Sequence, residues 1–250
     1  MLNHPLLNHP HFRAFLFALQ FLSRIPIPAI TAPNTDDQSR SALYYPVVGL
    51  FIGLLLALIA SLFADSEPLV VAAVLVVFWA AVTGALHIDG LADSADAWLG
   101  GLGDVKKTHE ILKDPLVGAA GTTVVICIIL LKYSALYALV KHNNHIVIML
   151  APILGRSIIL LLFTSTDYVR KQGLAATVID GLNGRAALIG IIAVLLMTAW
   201  FSFAGTIAVL LAFIALRKIM LERLGGCTGD TAGASVEITE AIWLTAAVLF

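Results

Sequence analysis

From about residue 43 to the end, the chain is a succession of apolar runs, most of them close to twenty residues long and nearly free of charge. Wound as an α-helix rising about 1.5 Å per residue, a run of about 20 residues spans the hydrocarbon core of a bilayer. Seven such runs can be marked, at about 43–64, 68–88, 115–140, 145–163, 186–203, 204–221 and 235–250. The fifth and sixth form one stretch too long for a single crossing, with Gly205 as a place to turn. The seventh is short and contains Glu237 and Glu240. Residues 12–23 are apolar but too short to cross, which predicts an interfacial helix. Pro26 and Pro28 end it in extended backbone, and a polar loop, Thr31 to Ser41, follows. Charged residues make up 12% of the 250 residues, half the share of about 25% usual in soluble domains. The expected fold class is therefore all-α: a polytopic transmembrane helix bundle of about seven spans plus an N-terminal interfacial helix, with 1–250 forming a single integral membrane domain.

Loop charge orients this layout. With the N-terminus inside, the inner segments collect Arg13, Arg24, Arg40, Lys106, Lys107, Lys113, Arg170, Lys171, Arg185, Arg217, Lys218 and Arg223, and the outer ones only Lys141. Twelve cations against one is the asymmetry of the positive-inside rule. It places the polar segments 89–114, 164–185 and 222–234 on the cytoplasmic side. The net charge of −1 gives no reason to expect nucleic acid as a partner. Cys127 and Cys227 form no CxxC pair and no disulfide framework. The start of the chain lacks the basic segment and apolar core of a cleavable signal.

The chemistry concentrates in His87-Ile88-Asp89-Gly90-Leu91-Ala92-Asp93-Ser94-Ala95-Asp96. Carboxylates spaced i, i+4, i+7 on a helix lie within about 60° of one another. Like charges at that spacing repel, and beside a membrane they call for a compensating cation. Hard oxygen ligands without soft partners suit Mg²⁺, with Mn²⁺ as the alternative; a solvated helix face is the competing reading. Mg²⁺ shares its coordination shell with phosphates, which points to a phosphorylated substrate. His87 on a continuous helix points away from the three carboxylates. Asp114, before Pro115, reads as a helix cap, a fourth metal ligand or a general base. Lys113 and Arg24 are candidates for phosphate or headgroup contact. Arg156 lies mid-way along an apolar run, where an isolated charge is costly, and is expected to pair with a carboxylate inside the bundle or line a polar cavity. Lys132 is more easily explained by snorkelling. In Gly225-Gly226-Cys227-Thr228-Gly229-Asp230-Thr231-Ala232-Gly233, glycines and hydroxyls such as Thr228 can wrap phosphate, while Asp230 or Thr231 can cap the last helix.

Four ordered motifs carry a resemblance. The run Gly84 to Asp96, the segment Arg24-Ile25-Pro26-Ile27-Pro28, the segment Lys113-Asp114-Pro115-Leu116-Val117-Gly118 and the run Gly225 to Ala234 together resemble the cobalamin synthase family, the adenosylcobinamide-GDP ribazoletransferases. The likeness covers about residues 20–240. The departures are Ala85 and Ala175, where the family often has Gly, and Ala97 after Asp96, where Gly is common. The resemblance implies a catalytic domain that joins adenosylcobinamide-GDP to α-ribazole or its 5′-phosphate and releases GMP, in the last assembly stage of coenzyme B12. It implies Asp89, Asp93, Asp96 and Asp114 as Mg²⁺ ligands and catalytic carboxylates, with Asp96 or Asp114 as base. Arg24, His87, Lys113, Arg156, Thr228 and Asp230 are implied for substrate binding. The setting expected is the bacterial inner membrane, with the N-terminus and active site facing the cytoplasm. The expected partners are the two substrates and the lipid bilayer, and a homo-oligomer is compatible with them. The acidic motif is also similar to that of CDP-alcohol phosphotransferases, though their full spacing is absent. A corrinoid transporter or scaffold is the non-enzymatic alternative.

Overall fold

The computed structural model describes residues 9–28, 30, 33–170 and 174–250. Thr31 in the polar loop and Lys171 among the inner cations lie outside the described residues, as does most of the N-terminal stretch. Twelve α-helices form among the described residues: α1 (Pro10–Leu22), α2 (Thr35–Ser41), α3 (Tyr45–Leu62), α4 (Pro68–Thr83), α5 (Leu86–Gly100), α6 (Val105–Ile111), α7 (Ala119–Lys141), α8 (His145–Ser165), α9 (Leu174–Asp180), α10 (Gly184–Phe201), α11 (Phe203–Leu224) and α12 (Gly229–Leu249). Six helical stretches are long and apolar enough to cross a membrane, or up to seven if the bent pair α4 and α5 is counted as one span. The protein is an all-α, multi-pass membrane bundle.

The boundaries depart from the sequence expectation where local chemistry intervenes. The second apolar run does not continue to residue 88: Gly84 and Ala85 both adopt left-handed backbone, φ 61° and 55°, and α5 leaves α4 at 89°. The turn between α10 and α11 falls at Ser202, not Gly205. Ser202 is extended, and its hydroxyl accepts from the Gly205 amide at 3.0 Å, capping α11. The last helix starts earlier than 235, at Gly229, and reaches full spanning length.

Helix α8 is the axis of the bundle. Nearly every side chain from Val147 to Phe163 is buried, and α3, α10 and α12 pack around it. Its tightest neighbour is α3, where Gly49 and Gly53 form a small-residue stripe. A Cβ at Gly49 would stand 2.7 Å from the Ile153 Cα, and one at Gly53 would run into the Met149 carbonyl. Such stripes let membrane helices meet backbone to backbone. Helix α12 packs on α8, α5, α7 and α11.

Charge fills the centre of this apolar core. Lys132 on α7 donates to Glu237 Oε2 at 2.7 Å and to Glu240 Oε2 at 2.6 Å, both on α12. Arg156 on α8 donates to the other oxygen of Glu240. The Lys132 ammonium also lies 4.2 Å from the centre of the Trp79 ring. The expected carboxylate partner of Arg156 is thus Glu240. Lys132 does not snorkel: it is 5% exposed and doubly paired. Two cations and two carboxylates compensate one another across three helices.

Two outcomes test this packing. Glu240→Gln leaves two buried cations under-compensated and is expected to cost about 3–5 kcal/mol, read as a fall in thermal unfolding temperature in detergent, while Glu237→Gln, which disturbs Lys132 alone, costs less. Gly53→Val forces α3 and α8 apart and is expected to destabilise by about 1–3 kcal/mol in the same assay.

Candidate active site

The elbow after α4 sets the direction of α5 and therefore of its carboxylates. The aliphatic part of Arg24 lies over Gly84, where an added Cβ would come within 2.5 Å of it, and the Arg24 amide donates to the Val82 carbonyl at 2.7 Å. Arg24 is thereby fixed beside the start of α5, where it is an exposed residue. The helix runs unbroken through Gly90, so Asp89, Asp93 and Asp96 share a face as their spacing requires. Gly90 serves a backbone approach: an added Cβ there would stand 2.6 Å from the carbonyl oxygen of Asp230. This crossing brings Asp230, in the first turn of α12, against the acidic face. Half-buried Asp93 consequently feels the charges of Asp89, Asp230 and Asp96, with Arg170 as the opposing cation.

Arg170 was visible in the sequence only as one of the loop cations, yet it organises this cluster. Its Nη2 donates to Asp230 Oδ2 at 2.6 Å and reaches the Leu112 carbonyl at 3.4 Å. A backbone clamp holds the loop that carries it. The Cys227 amide donates to the Asp167 carbonyl at 2.8 Å, and the Val169 amide to the Cys227 carbonyl at 3.0 Å. Cys227 itself is fully buried, and burial pushes its thiol up to about 12. It stays protonated and has no nucleophilic part.

A cavity of about 160 Å³ opens beside the cluster, lined by Asp89, Gly90 and Asp230 at its polar end and by Phe21, Tyr45 and Ile159 at its apolar end. His87 also lines it, buried, with Nδ1 3.4 Å from Arg156 Nη2 and Nε2 without a partner among the described residues. Through Arg156 it links the cavity to the ionic centre of the bundle.

Other candidates have different roles. Both oxygens of Asp96 are engaged by the start of α7, accepting from the Gly118 amide at 2.7 Å and the Gly121 amide at 2.9 Å. Glycine is needed at both positions, since a side chain at either would run into that carboxylate. The helix cap expected of Asp114 is therefore made by Asp96. Asp114 is exposed, lies ahead of α7 and, among the described residues, accepts only from the Leu116 amide, at 3.0 Å, in a local turn. Thr228 is buried and caps α12 in a reciprocal box with Thr231, and Asp230 meets Arg170. Lys113 is exposed. Among the described residues no three His, Cys, Asp or Glu side chains are gathered into a ready-made metal cage.

The profile of the cobalamin-5-phosphate synthase family matches residues 14–248. The chain belongs to this family. It is 46% identical over 228 residues to the adenosylcobinamide-GDP ribazoletransferase of Stutzerimonas stutzeri, covering 90% of this chain and 93% of the relative. The enzymes of the same name from Pseudomonas entomophila and Acinetobacter baumannii are 46% and 41% identical, covering 90% and 91% of this chain and 94% of each relative. No solved structure matches the chain. The family match takes in every element that builds the acidic cluster, from Arg24 to Asp230.

The cap made by Asp96 can be separated from any chemical role. Asp96→Ala removes both amide contacts and is expected to lower stability by about 1–2 kcal/mol in thermal unfolding. Asp96→Asn keeps an acceptor and is expected to lose less than half of that.

Proposed function

We propose that the chain transfers the adenosylcobinamide-phosphate part of adenosylcobinamide-GDP to α-ribazole or its 5′-phosphate, releasing GMP. What carries this reading is the convergence of Asp89 and Asp93 on α5 with Asp230 on α12, at the mouth of a cavity, in a chain of this family. The donor set is of hard oxygens, and a Mg²⁺-type ion takes one or two carboxylates with the rest of its shell from water and substrate phosphate. The residues present fit such an ion, or Mn²⁺ in its place, shared with a pyrophosphate. Asp89 and Asp230 would hold it, with Asp93 uncoordinated beside them. Asp96 and Asp114 drop out of that set, the first spent on the α7 amides and the second turned to its own loop. When bound, the ion would offset charge on the leaving GMP phosphate.

The protein's own groups supply the rest. Arg24, exposed at the elbow, and Lys113 offer cations for phosphate oxygens. Arg170 holds Asp230 in place and brings positive charge to the edge of the cluster. Asp93, half-buried among three other carboxylates, is the group placed to take the proton of the attacking ribose hydroxyl. His87 and the apolar end of the cavity exclude water from the acceptor side. Orienting two large substrates for in-line attack is the main contribution asked of the bundle. The excess of cations in the segments that hold Arg24, Lys113, Arg170, Arg217 and Arg223 supports, by the positive-inside rule, a site facing the cytoplasm from the bacterial inner membrane.

The test is GMP release from adenosylcobinamide-GDP by purified protein, with and without α-ribazole and Mg²⁺. Release is expected only with both. Asp89→Asn and Asp93→Asn are each expected to lower it at least about a hundred-fold without loss of fold. Full activity in both variants, or CMP release from a CDP-alcohol donor in place of GMP release, would overturn the assignment.

A further inference from the structure

A groove of about 700 Å³ runs between α5, the first turns of α7 and the end of α11, and it shares no lining residue with the cavity that contains Asp89. Leu91, Ala95 and Trp98 line it. They repeat the spacing of Asp89, Asp93 and Asp96 two residues later, which turns them about 160° round the same helix. Thr123 of α7 stands in the facing wall, and at the end of α5 Leu99 and Leu102 extend the apolar lining, 63% and 67% exposed. The volume lies within the range of about 300–1,000 Å³ that small-molecule sites occupy.

Among the described residues, one charged side chain lines this apolar groove: Arg223, in the last turn of α11. It is half-buried, and its guanidinium forms no ion pair or hydrogen bond among the described residues. Other arginines at this end of the bundle are engaged, Arg170 with Asp230 and Arg217 with the Ser165 carbonyl. The carboxylate beside Arg223 in the chain and that of α6, which packs on α11, are matched elsewhere: Glu222 with Lys218 at 3.8 Å and Glu110 with Lys106 at 4.0 Å. The negative end of the α11 dipole favours a cation here but does not neutralise it. Helices α7 and α11 both pass for membrane spans, so the start of one and the end of the other lie at the depth where acyl chains meet headgroups. An apolar groove with one unmatched guanidinium at that depth complements a molecule made of a hydrocarbon chain and a phosphate with net negative charge.

We propose that this groove binds an anionic phospholipid of the surrounding leaflet, one acyl chain lying between α5 and α7 and the phosphate paired with Arg223. The lipid braces α5 along the face opposite its carboxylates and so takes part in supporting the acidic helix. A zwitterionic lipid can fill the groove with the same chain, but its own ammonium competes with Arg223 for the phosphate. Preference between the two lipids therefore rests on Arg223. The site stands whichever group transfer the acidic cluster performs.

Native mass spectrometry of the full chain tests this, with protein stripped of lipid in detergent and then given phosphatidylglycerol and phosphatidylcholine of identical acyl chains. The wild type is expected to retain phosphatidylglycerol about ten-fold over phosphatidylcholine, as for one charge-assisted contact. Arg223→Gln is expected to abolish that preference and Arg223→Lys to keep part of it. Arg185→Gln, which removes an exposed cation of α10 outside the groove, is expected to leave it unchanged. Thr123→Trp fills the groove from an exposed position and is expected to reduce retention of both lipids. The thermal unfolding midpoint is expected to rise with phosphatidylglycerol in the wild type but not in Arg223→Gln, and inorganic phosphate is expected not to reproduce the rise. Equal retention of the two lipids, a preference that survives Arg223→Gln or is lost in Arg185→Gln, or a rise reproduced by inorganic phosphate overturns the proposal. Unchanged retention in Thr123→Trp does so too, and that variant and the wild-type comparison decide the matter should Arg223→Gln fail to fold.

Discussion

Four charges at the centre of an apolar bundle fix the relative positions of its main helices. Glu240 shares its oxygens between Lys132 on α7 and Arg156 on α8, and Glu237 takes a second bond from Lys132. Each contact is directional, and in a hydrocarbon setting an unpaired member has no water to fall back on. Apolar packing between membrane helices tolerates sliding and rotation, but this cluster admits one register. Because α12 is held at its middle, its first turn projects to one place, and Asp230 stands there. Because α8 is held at Arg156, its C-terminal loop emerges where Arg170 can reach Asp230.

The acidic helix is positioned from its own two ends. At one end, two left-handed residues turn it through 89° and seat Arg24 against the elbow. At the other, Asp96 grips the amides that open α7. One of the three carboxylates thus serves to aim the other two. An anion at a helix N-terminus is a favourable pairing in its own right, so the aiming adds little strain. Gly90 then admits the backbone of α12, and a fourth carboxylate completes the cluster from another part of the chain.

Much of this was legible in the residues. Run length gave the spans, period gave a shared face for Asp89, Asp93 and Asp96, and the cost of an isolated charge gave Arg156 a partner. What periodicity could not show is which partners meet across helices. The i, i+7 spacing of Asp96 is the same whether its oxygens face a substrate or the Gly118 amide. Lys132 looked like a snorkelling residue because the run around it was read alone. Read across all the spans, two buried cations and two buried carboxylates balance, and that balance was the available signal. The elbow escaped because Gly84-Ala85 sits inside a run apolar enough to continue as helix. Arg170 escaped because its role depends on a long-range contact between a loop and the first turn of α12.

The clamp that carries Arg170 is built of main-chain groups: amides and carbonyls of Asp167, Val169 and Cys227. Such a joint is indifferent to which side chains surround it. The exposed residues Thr164, Ser165 and Asp167 can therefore exchange their side chains while the arginine stays in place. Variation on the exposed face of this loop is thereby uncoupled from the geometry of the acidic cluster.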